Sequence, residues 1–349
     1  MCFFEDEERI MDNETMPNFI FDENGDPYIP LDEAVEILYR GVAPEIADNI
    51  LEQISKLDSR YREYEGDFFK GHEHPFLMSF SKNLNKIVLN EKALIMIWII
   101  CFAQYHAMEF TRAFCHNDLE TVQVVYPEID QNKIDEAIKA ALELPTREGL
   151  DWFVWPKNIP TREEMYLNNG KNDVDRTGRD LILFAIAFIL LHELRHAIFF
   201  NEKNKPVDPL EEERQCDLYA MNTILSNIDI YLKKYKRSEK DTKESVSYKR
   251  SLGIFMAECF MITTHLFPVP SKILYSDGKK HPSDKKRMMM FLHRLDRLLK
   301  PSNRFWGSGV IYFAYFCYKY KVSFADSKER FIPRYLKTLI CRVLNSFKP

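Results

Sequence analysis

Apolar residues recur at helical spacing along most of this chain, a period that predicts a mainly α protein with at most a small sheet. Between Leu31 and Tyr64, Ala34, Ile37 and Leu38 and then Ile46, Ile50, Leu51, Ile54 and Leu57 fit two amphipathic helices, with Pro44 near the start of the second. Residues 91–116 read as a long buried helix containing His106, with a short strand expected at Glu120–Val125. Asp151–Pro160 is too rich in aromatics and proline for regular helix, so it is expected to cover the core or edge a cleft, with Phe153–Trp155 as a candidate edge strand. Asp180 then introduces a helix whose run from Leu181 to Leu191 is apolar on nearly all sides.

Past that helix, Asn201–Leu210, with Pro206 and Pro209, turns the chain back into another helix around Glu213–Ala220. Lys233–Arg250 is nearly all polar and reads as a solvated surface insertion. Ser251–Leu266 is helical again, as is the segment leading through Met288, Phe291, Leu292, Leu295 and Leu298, and the residues from Trp306 onward. The expected organisation is an acidic lead-in over 1–30, a helical region over 31–150, and a region over 151–349 that carries the candidate chemistry and the charged insertion near 233–250.

Composition narrows the function classes. With 349 residues, 46% of them hydrophobic, the chain can bury a large core. A net charge of −5 offers no basic field, so no nucleic-acid partner is expected. Seven scattered cysteines without CxxC spacing imply reduced thiols in a cytoplasm, most of them small core residues. The acidic start, Met1–Glu8, is unlike a secretory signal. Apolar runs such as Ala93–Ala103 and Leu181–Leu191 are about 11 residues, short of the ~20 that cross a bilayer, so a cytoplasmic protein with no membrane partner is expected. There is no internal repeat, phosphate loop or nucleophile elbow, and with only 11 glycines a nucleotide-binding α/β reading has little support. His72 and His74, before Pro75, read as a surface turn.

The candidate chemistry sits at the end of the apolar helix, in His192-Glu193-Leu194-Arg195-His196, an HExxH pattern. Two histidines four apart share one helix face and can share a metal ion, and Glu193 beside them can take a proton from metal-bound water. Glu213 begins a second helical segment 17 residues after His196, with Asp217 four further on and on the same side. One of these two carboxylates can be a third zinc ligand while the other orients a ligand histidine, leaving a fourth position open. Cys216 points away from that pair by most of a turn and is the weaker candidate. An ordinary amphipathic helix with coincident histidines explains each residue singly but not the set. A silent, zinc-stabilised sensor or scaffold is the alternative function, and Glu193 speaks against it, since a structural site needs no base.

HExxH followed by ExxxD resembles the gluzincin metallopeptidases, which implies a zincin-like core built on an active-site helix, with Glu213 as the third zinc ligand and Asp217 as the carboxylate that orients a ligand histidine. His281-Pro282-Ser283-Asp284-Lys285-Lys286-Arg287 resembles the HPxxxxR segment of the HtpX and CaaX-prenyl protease group. That resemblance implies catalytic roles for His281, stabilising the oxyanion, and for Arg287, bracing the site. Size, helical character and a central HExxH are similar to the phage-exclusion protease group typified by Lit. This implies a cytoplasmic endopeptidase cutting a specific host protein, the translation factor EF-Tu, under an activating or inhibitory protein. A charge between the two histidines, here Arg195, and the lack of the HtpX group's membrane segments depart from those families; Arg195 is expected to reach a carboxylate or solvent.

Overall fold

The computed structural model describes residues 20–21, 27–28, 31–57, 60–63, 78–81, 86–89, 91–114, 131–144, 150–157, 159–161, 164, 173–236, 239, 241–266, 287 and 290. His281, the strand expected at 120–125, the histidines at 72, 74 and 116 and the helix expected from 306 lie outside these residues. The described elements are helices α1 (Leu31–Val42), α2 (Pro44–Lys56), α3 (Glu91–Phe114), α4 (Gln131–Glu143), α5 (Asp173–Glu202), α6 (Pro209–Leu225), α7 (Ile228–Lys234) and α8 (Lys243–Leu266), with strands β1 (Ile20–Phe21), β2 (Pro27–Tyr28), β3 (Arg60–Glu63), β4 (Met78–Ser81) and β5 (Lys86–Leu89). The protein is mainly α, as its periodicity predicts.

α5 is the axis of the fold. It packs against α3, α6 and α8, and the sheet meets it through β4 and β5. Leu181, Ile182, Ala185, Ala187 and Phe188 are fully buried, and one hydrophobic cluster reaches from Val35 in α1 to Phe260 in α8. Burial of this kind drives the packing, at roughly 25 cal/mol per Å² of apolar surface removed from water. α8 comes closest at Gly253, where a Cβ would stand 2.3 Å from the Phe184 Cβ. Only a residue without a side chain lets the two backbones approach this far.

The sheet has the order β3-β5-β4, β3 parallel to β5 and β4 antiparallel to it. β5 takes the middle because Ile87, Val88 and Leu89 are all buried, as an apolar β-branched run requires. β4 is an edge among the described residues, and Phe80 pairs with Ile87.

Four sequence expectations are corrected. The central helix starts at Asp173, not at Asp180, whose buried carboxylate is met by Lys249 Nζ at 2.7 Å. It is therefore longer than its apolar run: Arg176–Glu202 is by length and composition apolar enough to cross a membrane, and 72% of its apolar window is buried within the fold. Phe153–Trp155 is no strand; the Phe153 ring meets Trp152 and Trp155 edge-on, and Trp155 Nε1 donates to the Ile159 carbonyl, so this segment covers the core. The charged stretch 233–250 is not simply a solvated insertion. Lys243–Arg250 form the first turns of α8, and Arg250 is buried, donating to both Glu45 oxygens and to the Ile224 carbonyl, which ties α8 to α2 and α6.

Candidate metal centre

α5 ends at Glu202, followed by Lys203 in the left-handed conformation, a common way to stop a helix. α6 starts again almost at once: Asp208 caps it by accepting from the Leu210 N–H at 3.0 Å, Pro209 fills the first helical position, and Glu211 and Glu212 occupy the positive first turn. This tight reversal lays α6 along the HExxH turn of α5 and brings Glu212, Glu213, Cys216 and Asp217 to the two imidazoles.

His192 Nε2 and His196 Nε2 stand 3.2 Å apart. Glu213 spans them, Oε2 lying 3.4 Å from His192 Nε2 and Oε1 3.4 Å from His196 Nε2. Donors at 2.0–2.2 Å from zinc, set at tetrahedral angles, are separated by roughly 3.3 Å. The Nε2 pair matches that figure, and each Glu213 oxygen stands at a matching distance from one of the rings, so the two imidazoles and this carboxylate fit around one divalent cation.

The opposite ring nitrogens are taken by carboxylates. His192 Nδ1 is 2.9 Å from Asp217 Oδ1, and His196 Nδ1 is 2.9 Å from Glu212 Oε1. An ionised carboxylate only accepts, so each Nδ1 carries a proton and each Nε2 faces the other ring and Glu213, where it can ligate once it is unprotonated. Each carboxylate is in turn held by a cation. Arg287 forks onto Asp217, Nη2 to Oδ1 and Nε to Oδ2, the latter at 2.9 Å, and Lys205 Nζ lies 2.6 Å from Glu212 Oε2. Two parallel relays result, His192–Asp217–Arg287 and His196–Glu212–Lys205.

So many acidic groups make the pocket attractive to positive charge. Burial lowers the His192 pKa, but hydrogen bonds to Asp217 and Glu213 more than offset it and push it up to about 10. His196 is raised too, burial again being outweighed, here by Cys216, Glu212 and Glu213. Burial raises the Asp217 carboxyl, yet Arg287 and His192 hold it below the usual carboxylate range.

Glu193 projects on the other side of His192, where its Oε2 accepts from the Phe80 backbone N–H at 2.7 Å. That N–H therefore points away from β5, as does the Phe80 carbonyl, because both groups of one strand residue face the same neighbour. The edge that β4 presents among the described residues and the Glu193 carboxylate thus border one space. The rings of Phe80 and Phe200 meet there at 5.5 Å, and Phe200 is 43% exposed.

The structure brings together His192, Glu193, His196, Glu213, Asp217 and Arg287. Arg287 touches Asp217 and nears Glu258, at 3.5 Å, so its place is behind the ligands. Two sequence expectations change. Arg195 is partly exposed, as expected, but among the described residues it meets rings rather than a carboxylate: its guanidinium lies 4.1 Å from the centre of the Phe199 ring and 5.5 Å from that of Tyr219. Cys216 does not point away. Three residues along a helix is about 60° short of a full turn, so it shares a flank with Glu213, and its sulfur and the two histidine donor atoms all lie within 4.8 Å of one another. Glu212, Lys205 and Phe80 were not singled out by sequence reasoning. The capped, acidic start of α6 was the signal for Glu212; nothing local marked Phe80.

Comparison with known proteins gives this arrangement a family context. The model of the Peptidase U49 family matches residues 87–309, which include His192, Glu193, His196, Glu212, Glu213, Asp217 and Arg287 but not Phe80. The chain is 26% identical over 206 residues to the cell death peptidase of Escherichia coli (strain K12), a stretch that covers 58% of this chain and 65% of that protein, a little under two thirds. No solved structure matches the chain.

Proposed function

The chain belongs to the Peptidase U49 family, and we propose that it is a zinc-dependent endopeptidase in which His192, His196 and Glu213 hold the metal and Glu193 is the general base. The observation that carries this reading is the pair of imidazole nitrogens 3.2 Å apart, each with one Glu213 oxygen at 3.4 Å, and Glu193 beside them. Zinc there would act as a Lewis acid and bring the pKa of a bound water to about 7.

The remaining work falls to side chains of this chain. Glu193 takes the water's proton on a carboxylate oxygen and delivers it to the leaving amine. The Phe80 N–H fixes which way that carboxylate points. Asp217 and Glu212 keep each Nδ1 protonated and each Nε2 free to ligate, and Arg287 and Lys205 keep the two carboxylates ionised and in place. The edge that β4 presents among the described residues suits an extended peptide, which would pair with the Phe80 backbone and lay a side chain against Phe80 and Phe200. In this reading Arg287 is a positioning residue, and His281 reaches the substrate carbonyl as its HPxxxxR resemblance implies.

The substrate is a specific intracellular protein in the cytoplasm, cut as part of a cell-death or phage-exclusion response under a partner that activates or inhibits the enzyme; neither nucleic acid nor membrane takes part. The name of the Escherichia coli relative, a cell death peptidase, supports the cell-death part of this reading. The test is a comparison of new protein N-termini in cells producing the parent and the Glu193→Gln variant. A small set of termini seen only with the parent is expected. Identical sets at equal protein levels would overturn the reading.

A further inference from the structure

Cys216 is a metal donor to which the peptidase reading gives no task. Its side chain is fully buried, and its sulfur lies within 4.8 Å of a donor nitrogen of each histidine. A thiolate binds zinc at ~2.3 Å and an imidazole at ~2.0–2.1 Å, which sets sulfur and nitrogen roughly 3.6 Å apart around one tetrahedral ion. That separation lies inside the observed limit, so adjustment of side chains alone lets the three atoms converge. Glu213 already bridges the two rings from one turn earlier on the same helix.

We propose that Cys216 is a fourth protein ligand which, with His192, His196 and Glu213, closes the tetrahedron and holds the peptidase in a latent form. This rests on the zinc reading given above. As the ligand forms, the S–H bond of Cys216 breaks, the sulfur keeps the electron pair and donates it to the metal, and the proton passes to solvent; nothing is oxidised. With four protein donors no position remains for water or a peptide carbonyl, which is the difference between a structural and a catalytic zinc site. Glu193 then has no proton to take. Opening is the reverse exchange: water replaces the sulfur, which regains a proton and packs in the buried space between α5 and α6.

The full chain reconstituted with Co²⁺ reports each part separately. The parent is expected to bind one cobalt per chain and to show the ultraviolet charge-transfer band of a thiolate–cobalt bond. Cys216→Ser keeps the cobalt, loses that band, and with zinc hydrolyses a quenched fluorescent peptide library faster than the parent; Cys216→Ala serves if the serine variant does not fold. A parent that binds stoichiometric cobalt without the band overturns the ligand assignment while leaving the metal centre standing. A variant that retains the band overturns the choice of cysteine, and one no faster than the parent overturns the latent state. A parent that binds no cobalt overturns the metal reading, and this inference with it.

Discussion

Glu193 Oε2 accepts the Phe80 backbone N–H at 2.7 Å, joining the middle of the HExxH helix to a strand 113 residues earlier. The donor belongs to the backbone, so Phe80→Ala keeps it and Phe80→Pro removes it. Proline is tolerated here in hydrogen-bonding terms, because this N–H faces away from β5 at a sheet edge. A hydrogen bond to a charged group contributes about 1.5–3 kcal/mol. Phe80→Pro is therefore expected to lower kcat roughly ten- to a hundredfold below Phe80→Ala, with zinc content unchanged. Equal kcat values in steady-state assays would remove Phe80 from the account.

Asp217 has no exposed surface and is paired to both Arg287 and His192. Arg287→Ala strands a buried charge, a change that costs about 3–5 kcal/mol of stability. Asp217→Asn and Glu212→Gln leave more of the packing intact and are expected to weaken metal binding about 10–100-fold, the usual effect of losing the partner of a ligand histidine. Denaturant unfolding measures the first and competition with a chelator the others. Wild-type affinity in both amide variants would show that the two relays do not set the ligands.

In the metal-free protein both ligand rings hold protons at pH 7, His192 with a pKa pushed up to about 10 and His196 raised as well. Ligation needs neutral rings, so metal binding must expel those protons. Apparent affinity is expected to rise with pH from 7 toward about 10. Titration calorimetry in buffers of different ionisation enthalpy should give heats that differ by the protons released; heats independent of the buffer would contradict this.

Gly253 places α8 hard against α5, with Phe184 Cβ and the Leu181 carbonyl at 2.3 and 3.1 Å from an added Cβ. Gly253→Ala must push the helices apart and is expected to cost about 1–3 kcal/mol, as overpacking does. The urea midpoint should fall with an unchanged slope. A midpoint equal to that of the parent would mean the contact is looser than described.

The helices and the HExxH face were legible because each is a local pattern. Ile46, Ile50, Leu51 and Ile54 spell one amphipathic turn after another, and His192 and His196, like Glu213 and Asp217, are four apart on single helices. What escaped depends on how separate elements meet. Glu212 reaches His196 because of the angle at which α6 crosses α5, which periodicity does not encode. Asp180 looked like a helix start because its partner, Lys249, is 69 residues away. The Phe80 contact is made by a backbone group and left no trace in residue type. Cys216 was misjudged on direction: counting forward, three residues are most of a turn, but the shorter way round leaves only about 60°.

The central claim is that two neighbouring helices supply three ligands to one metal ion. Elemental analysis of the purified parent alongside His196→Ala and Glu213→Ala tests it most directly. Near-stoichiometric zinc in the parent and its loss from both variants at preserved helicity is the predicted result; a metal-free parent, or a Glu213→Ala protein that retains zinc undiminished, would contradict it.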